Sequence, residues 1–453
     1  MELHGRKTFW SFLEEDQKVP PSPTSHHHRH SNKESEPRLS LSRPSSATVA
    51  SLSPSSPGGS PWTLSPVRRS PSPSPSLLYH CIASLQRQDG NVYSIAISRG
   101  AVFTGSDSDR VRVWRQPDCI DRGCIRTHHG RVRAILAHGG TLFTSHKDHR
   151  VRVWSVFIAG PDRLRSKKLA TLAPRAPSFF PFHRKKPNQH RDTISCLACY
   201  HAEGLLYTGS WDRTVKVWRL TEKACVDSFV AHEGQVSAML VNQEDGCLFT
   251  SSWDGSVKIW RRVYGDSSHA LTVVLRFQTS PVNALALSHS SSSCFLYSGS
   301  SDGYVNIWEK EAASGRFNHS GFLQGHRFAV LCLAAVERVV LSGSEDTTIR
   351  VWRREEGTGF HACLAVIEGH RGPVRCLAVS LEVESEGVGL LLYSASLDRM
   401  VKVWRIKVVG KVREGEEGLE EEGEGEGKEV AFEMSPVLSP LWVEKKLQAS
   451  HLY

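Results

Sequence analysis

Apolar and polar positions alternate in short bursts along most of the chain, and the bursts come in sets of four. Residues 194–230 show one set. ISCLACY (194–200) is followed by a turn and LLYTGS (205–210), then by a tight turn through Asp212, VKVWRL (215–220) and CVDSFV (225–230). Each run is short, rich in β-branched and aromatic residues, and bounded by Gly, Asp or Ser. That pattern predicts four consecutive strands joined by hairpins, not helices.

The set recurs. LYTGSWDRTVKVWRL (206–220) and LFTSSWDGSVKIWRR (248–262) are near copies, and the same phrase ends in Trp114, Trp154, Trp218, Trp260, Trp308, Trp352 and Trp404. The intervals between these tryptophans are 40, 64, 42, 48, 44 and 52 residues. Self-similarity with a period near 40–45 signals stacked units, none of which can bury its apolar face alone.

Polar groups recur at fixed offsets within the phrase. Six residues before Trp stands an acid: Asp148, Asp212, Asp254, Asp302, Asp346 and Asp398, with Ser108 in the first unit. Ten residues before Trp stands a hydroxyl: Thr104, Thr144, Thr208, Thr250, Ser298, Ser342 and Ser394. Four residues before the Val or Ile that opens the first strand stands His128, His190, His232, His326 or His370, replaced by Gln88 and Gln278 in units one and five. A tight turn leaves backbone donors in need of acceptors, and an Asp placed in it supplies them. A Ser/His/Asp set also suggests a hydrolase. Seven copies and the absence of a strained Gly-x-Ser-x-Gly turn favour a structural role, so no catalytic, cofactor-binding or metal-ligating residue is assigned.

This combination resembles the WD-repeat family of β-propellers over about 330 residues. The resemblance implies an all-β fold in which His, hydroxyl, Asp and the indole N–H of each unit form a hydrogen-bonded tetrad. The Trp-Asp dipeptide itself is missing: Arg follows Trp in five units, Ser155 follows Trp154 and Glu309 follows Trp308. Seven units then predict a seven-bladed propeller over 77–406, with four strands per blade. The last unit has only three strands before the C-terminal tail, whereas LLYHCIASL (77–85) precedes the first unit unpaired. Residues 77–85 are therefore predicted to complete the last blade and leave no open edge.

Charge modifies this picture at three places. Net charge is +3 over 1–76, +11 over 77–406 and −5 over 407–453. Residues 1–76 are dominated by Ser and Pro and hold eight Ser-Pro pairs, a composition expected to be disordered and open to proline-directed phosphorylation. The tail 407–453 carries EGEEGLEEEGEGEGKE (414–429) and ends in MSPVLSPLWVEKKL (434–447), either a docking segment or a piece tucked against the domain. The third place is the insertion 159–191, with net charge +8, in which Phe179, Phe180 and Phe182 lie among basic residues that include Arg184, Lys185 and Lys186.

The eleven cysteines lie mostly in apolar runs, which fits a reduced intracellular compartment. Cys196 and Cys199 have CxxC spacing, but residues three apart in a strand face opposite ways and no second pair completes a zinc site. The N-terminus has no apolar core or cleavage site of a signal peptide, and no run is long enough to span a membrane. Cytoplasmic or nuclear residence as a monomeric propeller is expected.

Recognition should fall on residues free of the repeat constraints. Those just before the tetrad acid are Asp107, Lys147, Trp211, Trp253, Ser301, Glu345 and Leu397. Paired indoles on adjacent blades suggest a contact surface. The insertion should project on the same rim, where its basic and aromatic residues suit nucleic acid, an acidic protein segment or the chain's own Glu-rich tail. A closer resemblance is to the plant JINGUBANG-type WD-repeat proteins, carried by 190–220, 227–239 and 434–446. It implies an intracellular plant regulator acting through protein partners, transcription factors among them. Two alternatives stand beside that scaffold reading. One is a substrate receptor of a cullin-type ubiquitin ligase, for which Arg262 and Arg354 match the docking Arg but Arg261 and Arg353 occupy the preferred acid positions. The other is nucleic-acid binding through the insertion.

Overall fold

The computed structural model describes residues 77–86, 89–159, 163–172, 189–263, 266–277, 279–290, 293–355, 359–384 and 387–408. The two tails, Gln88, Gln278 and the part of the insertion that holds Phe179, Phe180, Phe182, Arg184, Lys185 and Lys186 lie outside the described residues.

The described residues form 28 strands in seven four-stranded antiparallel sheets. In the third sheet the strands are Ile194–Tyr200, Leu205–Ser210, Thr214–Arg219 and Ala224–Val230, paired in that order. The first strand of each sheet packs on the first strand of the next, and Val374–Glu384 of the last packs on Val92–Ser98 of the first. The seven sheets therefore close as the blades of a propeller, with the first strands around the axis. Closure uses the N-terminal strand as its pattern predicts: Leu77–Gln86 pairs with Met400–Val408 as the outermost strand of the last blade.

Small residues let the blades approach. Gly209, next to the end of its strand, would put a Cβ 2.7 Å from Cys196 Sγ and 2.8 Å from Val236 Cγ1 of the following blade. The equivalent positions hold Gly105, Ser145, Ser251, Gly299, Gly343 and Ala395. Cys196 and Cys199 face apart: Cys196 packs in the cluster with Tyr207 and Val236, and Cys199 in the one with Phe143 and Trp218. Burial pushes their thiols up to about 12 and about 11, so they behave as apolar packing groups. All eleven cysteines are free.

Every first strand carries a β-bulge at its second residue, placed between Ile194 and Cys196 in the third blade and extended from Val132 to Ile135 in the second. A bulge re-aims the extra side chain. Ser195 Oγ uses that freedom to donate to the Val236 carbonyl of the next blade at 2.6 Å, and Asn283 Nδ2 donates to the Val330 carbonyl at 3.0 Å. Further out, Tyr207 OH meets His269 Nε2 of the next blade at 3.1 Å, and Tyr297 OH meets His361 Nε2 at 2.8 Å. Among the described residues no helix is long and apolar enough to cross a membrane.

Candidate functional site

The hairpin turns between second and third strands and the connections into each next blade share one end of the ring, and the tetrads tie the two together. In the third blade Trp218 Nε1 donates to Thr208 Oγ1 at 3.0 Å, that hydroxyl lies 2.8 Å from His190 Nε2, and His190 Nδ1 lies 3.0 Å from Asp212 Oδ2. One proton order satisfies them all: indole to hydroxyl, hydroxyl to Nε2, Nδ1–H to carboxylate. Asp212 also accepts from the Arg191 and Thr214 amides, fixing both loops at once.

Three more blades repeat the arrangement with Trp260–Thr250–His232–Asp254, Trp352–Ser342–His326–Asp346 and Trp404–Ser394–His370–Asp398. Burial alone would raise these carboxyls. Hydrogen bonds from the imidazoles and turn donors outweigh it and hold Asp212, Asp254 and Asp346 far below the usual range, and Asp398 down to about 2. Thr208, Thr250, Ser342 and Ser394 are completely buried, each with its hydroxyl enclosed between an imidazole and an indole, a position no substrate reaches.

The second blade corrects the sequence assignment. Trp154 Nε1 donates to Thr144 Oγ1 at 2.9 Å, but the imidazole on that hydroxyl is His146 Nε2 at 2.8 Å, not His128. His128 is exposed with φ of 57°, and Asp148 turns to the Arg152 guanidinium, with contacts of 3.0 and 2.5 Å. Strand pairing holds His146 two residues from Thr144 inside the blade, so it takes the slot before a loop histidine can. In the first blade Asp107 replaces the missing acid by accepting from the Asn91 amide at 3.0 Å, and Trp114 Nε1 still donates to Thr104 at 3.2 Å. In the fifth, Trp308 Nε1 donates to Ser298 at 2.9 Å and Asp302 accepts from the Tyr304 amide at 2.9 Å.

Replacing His146 by Ala should therefore destabilise the protein by about 1–3 kcal/mol at pH 7, while His128→Ala leaves the melting curve unchanged. Burial pushes the His146 imidazole down from 6.5 to about 3. A depressed folded-state value gives stability present above pH 6.5 and lost as pH falls toward 3. The gap between wild type and His146→Ala, read by thermal melts, should thus narrow from pH 7 to pH 5. A His128→Ala protein melting well below His146→Ala at pH 7 would restore His128.

At the rim, Lys147 is exposed, whereas Asp107, Trp211, Trp253, Ser301, Glu345 and Leu397 are half-buried. The two indoles lie together, with ring centroids 6.3 Å apart and planes tilted by 40°. They do not stand free: the Arg133 guanidinium sits 4.9 Å over the Trp211 ring and 4.7 Å over the Tyr93 ring. Tyr93, Arg133 and Arg375 occupy the bulge positions of the first, second and last blades, and alignment of the seven bulges is the sequence signal that would have found them. Of the two arginines matching the ligase-docking pattern, Arg354 is buried over the Phe295 ring, and Arg262 is exposed and ion-paired with Glu203.

A family model described as WD domain, G-beta repeat matches residues 122–155, 183–219, 223–261, 270–309, 317–353 and 361–405, just over half of the chain. The first match begins in the fourth strand of the first blade, Asp121–Arg126, so none covers Ser108, the residue in that unit's acid position. No curated protein matches the chain.

Proposed function

Because the chain belongs to the WD40-repeat family, we propose that it is a non-enzymatic interaction scaffold whose tetrad rim holds segments of partner proteins. The observation that carries this reading is the Trp211–Trp253 pair, two half-buried indoles on consecutive blades, each held on a turn that its tetrad fixes. Amphipathic aromatic side chains on a rigid frame are typical anchors of protein interfaces. The tetrads stiffen the frame and leave recognition to the residues beside them. Fold alone does not choose the partner. The JINGUBANG-type resemblance supports a plant cell as the setting, in cytoplasm or nucleus, and regulatory proteins such as transcription factors as partners. The ligase-receptor reading is the weaker one, because burial of Arg354 removes one of its two matching arginines from reach.

The test is affinity capture from plant tissue, comparing wild type with Trp211→Ala/Trp253→Ala. The variant should remain folded by circular dichroism and lose most captured partners; an unchanged partner set would exclude the rim. Charge reversal of Arg184, Lys185 and Lys186 separates a contribution of the insertion, and capture that weakens steeply with salt in a nuclease-sensitive manner would favour nucleic acid.

A further inference from the structure

The bulge residues differ in what they do. In the third and fifth blades the bulge side chain, Ser195 or Asn283, bonds the first carbonyl of the next blade. In the second blade that duty has moved to Ser145, whose Oγ donates to the Ile194 carbonyl at 3.2 Å. Arg133, at the bulge, is released from holding blades together.

Arg133 is 8% exposed, and its Nη2 is buried with no hydrogen-bond partner. A buried cationic donor left unpaired costs free energy that an acceptor from outside would relieve. Among the described residues the carboxylate beside it, Asp107, is already engaged by Tyr93 OH at 2.8 Å, the Asn91 amide at 3.0 Å and Arg131 Nε at 2.8 Å. Burial first, then the charge of Arg375 from the blade on the other side of Tyr93, pushes the Arg133 guanidinium down to about 9. The ring faces of Tyr93 and Trp211 already hold a cation, so they cannot cage a cationic ligand. Asp107 is shared among three donors, and Arg133 Nη2 is not one of them.

We propose that Arg133, with Arg375 beside it, is an oxyanion receptor at the mouth of the channel, taking a carboxylate or phosphate on the segment that a partner lays against Trp211. This rests on the rim reading above and names its chemistry. A guanidinium held over two rings is positioned to donate to such a group through its planar fork.

The experiment titrates inorganic phosphate and, separately, acetate into the full chain at constant ionic strength held with chloride, following the Trp211 indole resonance of ¹⁵N-tryptophan-labelled protein. Wild type should give a saturable shift. Arg133→Gln should weaken it roughly ten-fold or more, as expected for loss of hydrogen bonds to a charged group, and Lys223→Gln, at an exposed turn between third and fourth strands, should not. A response to phosphate alone assigns a phosphorylated segment; a response to both anions assigns carboxylates as well. If Arg133→Gln does not fold, Arg133→Lys, which keeps the charge and removes the planar fork, makes the same comparison. No saturable shift in wild type, or equal shifts in wild type and the arginine variant, overturns the proposal. The rim reading fails separately: anion binding with an unchanged partner set in Trp211→Ala/Trp253→Ala would keep the receptor and discard the rim.

Discussion

A chain lacking residues 1–86 should not reach a soluble, cooperatively folded state, whereas one lacking only 1–70 should melt like the full chain. Leu77–Gln86 forms nine register pairs with Met400–Val408, from Leu77↔Val408 to Gln86↔Met400. Leu77 is 2% exposed in the cluster that holds Val351, Leu392, Trp404 and Ile406, and Tyr79 OH donates to the Val366 carbonyl of the neighbouring blade at 3.3 Å. Deletion removes that apolar cover, the last antiparallel ladder and a contact between blades together. The loss is comparable to the whole stability of a domain, about 5–15 kcal/mol. It also bares the 400–408 edge, along which chains can pair with one another. Size-exclusion chromatography and circular dichroism would report the outcome; a shortened chain eluting and melting as the full one does would show that the ring needs no N-terminal strand.

The second large effect is expected at Trp352, which is 2% exposed and packs against Phe295, Tyr297, Val330 and Val340 while donating to Ser342 Oγ at 2.9 Å. Trp352→Ala removes the largest side chain of that cluster and should cost about 3–5 kcal/mol. Trp352→Phe keeps most of the apolar volume but leaves Ser342 without its donor, and should cost about 1–3 kcal/mol. The measurement is the shift of the urea midpoint for each variant. A Phe variant as stable as wild type would mean that the indole hydrogen bond contributes nothing and the tetrad only packs.

Much of this is legible in the sequence alone. The period, the strand runs and the fixed offsets of Trp, Asp and hydroxyl are local in sequence, and local spacing in a hairpin dictates contact, so Trp218 meets Thr208 as its ten-residue offset requires. The closing strand was legible because one unit lacked a strand and one run lacked a unit. The exchange of His128 for His146 was hidden, since both residues fit an imidazole at that end and only strand pairing decides between them. The channel cluster was hidden for a different reason. Tyr93, Arg133, Trp211 and Arg375 come from four blades, and bulges aim three of them, so their meeting is a property of the closed ring. The rim tryptophans are half-buried: they lie against each other, and Arg133 covers Trp211.

Exchange of the tryptophan indole protons with D₂O, followed by NMR on ¹⁵N-tryptophan-labelled protein, addresses the buried tetrads themselves. The seven indoles of Trp114, Trp154, Trp218, Trp260, Trp308, Trp352 and Trp404 donate to buried hydroxyls within closed blades. All seven should persist far longer than free tryptophan and disappear together as the ring unfolds. Exchange at the free-tryptophan rate for Trp218, Trp260, Trp352 or Trp404 under native conditions would contradict the tetrads as the groups that hold the blades shut.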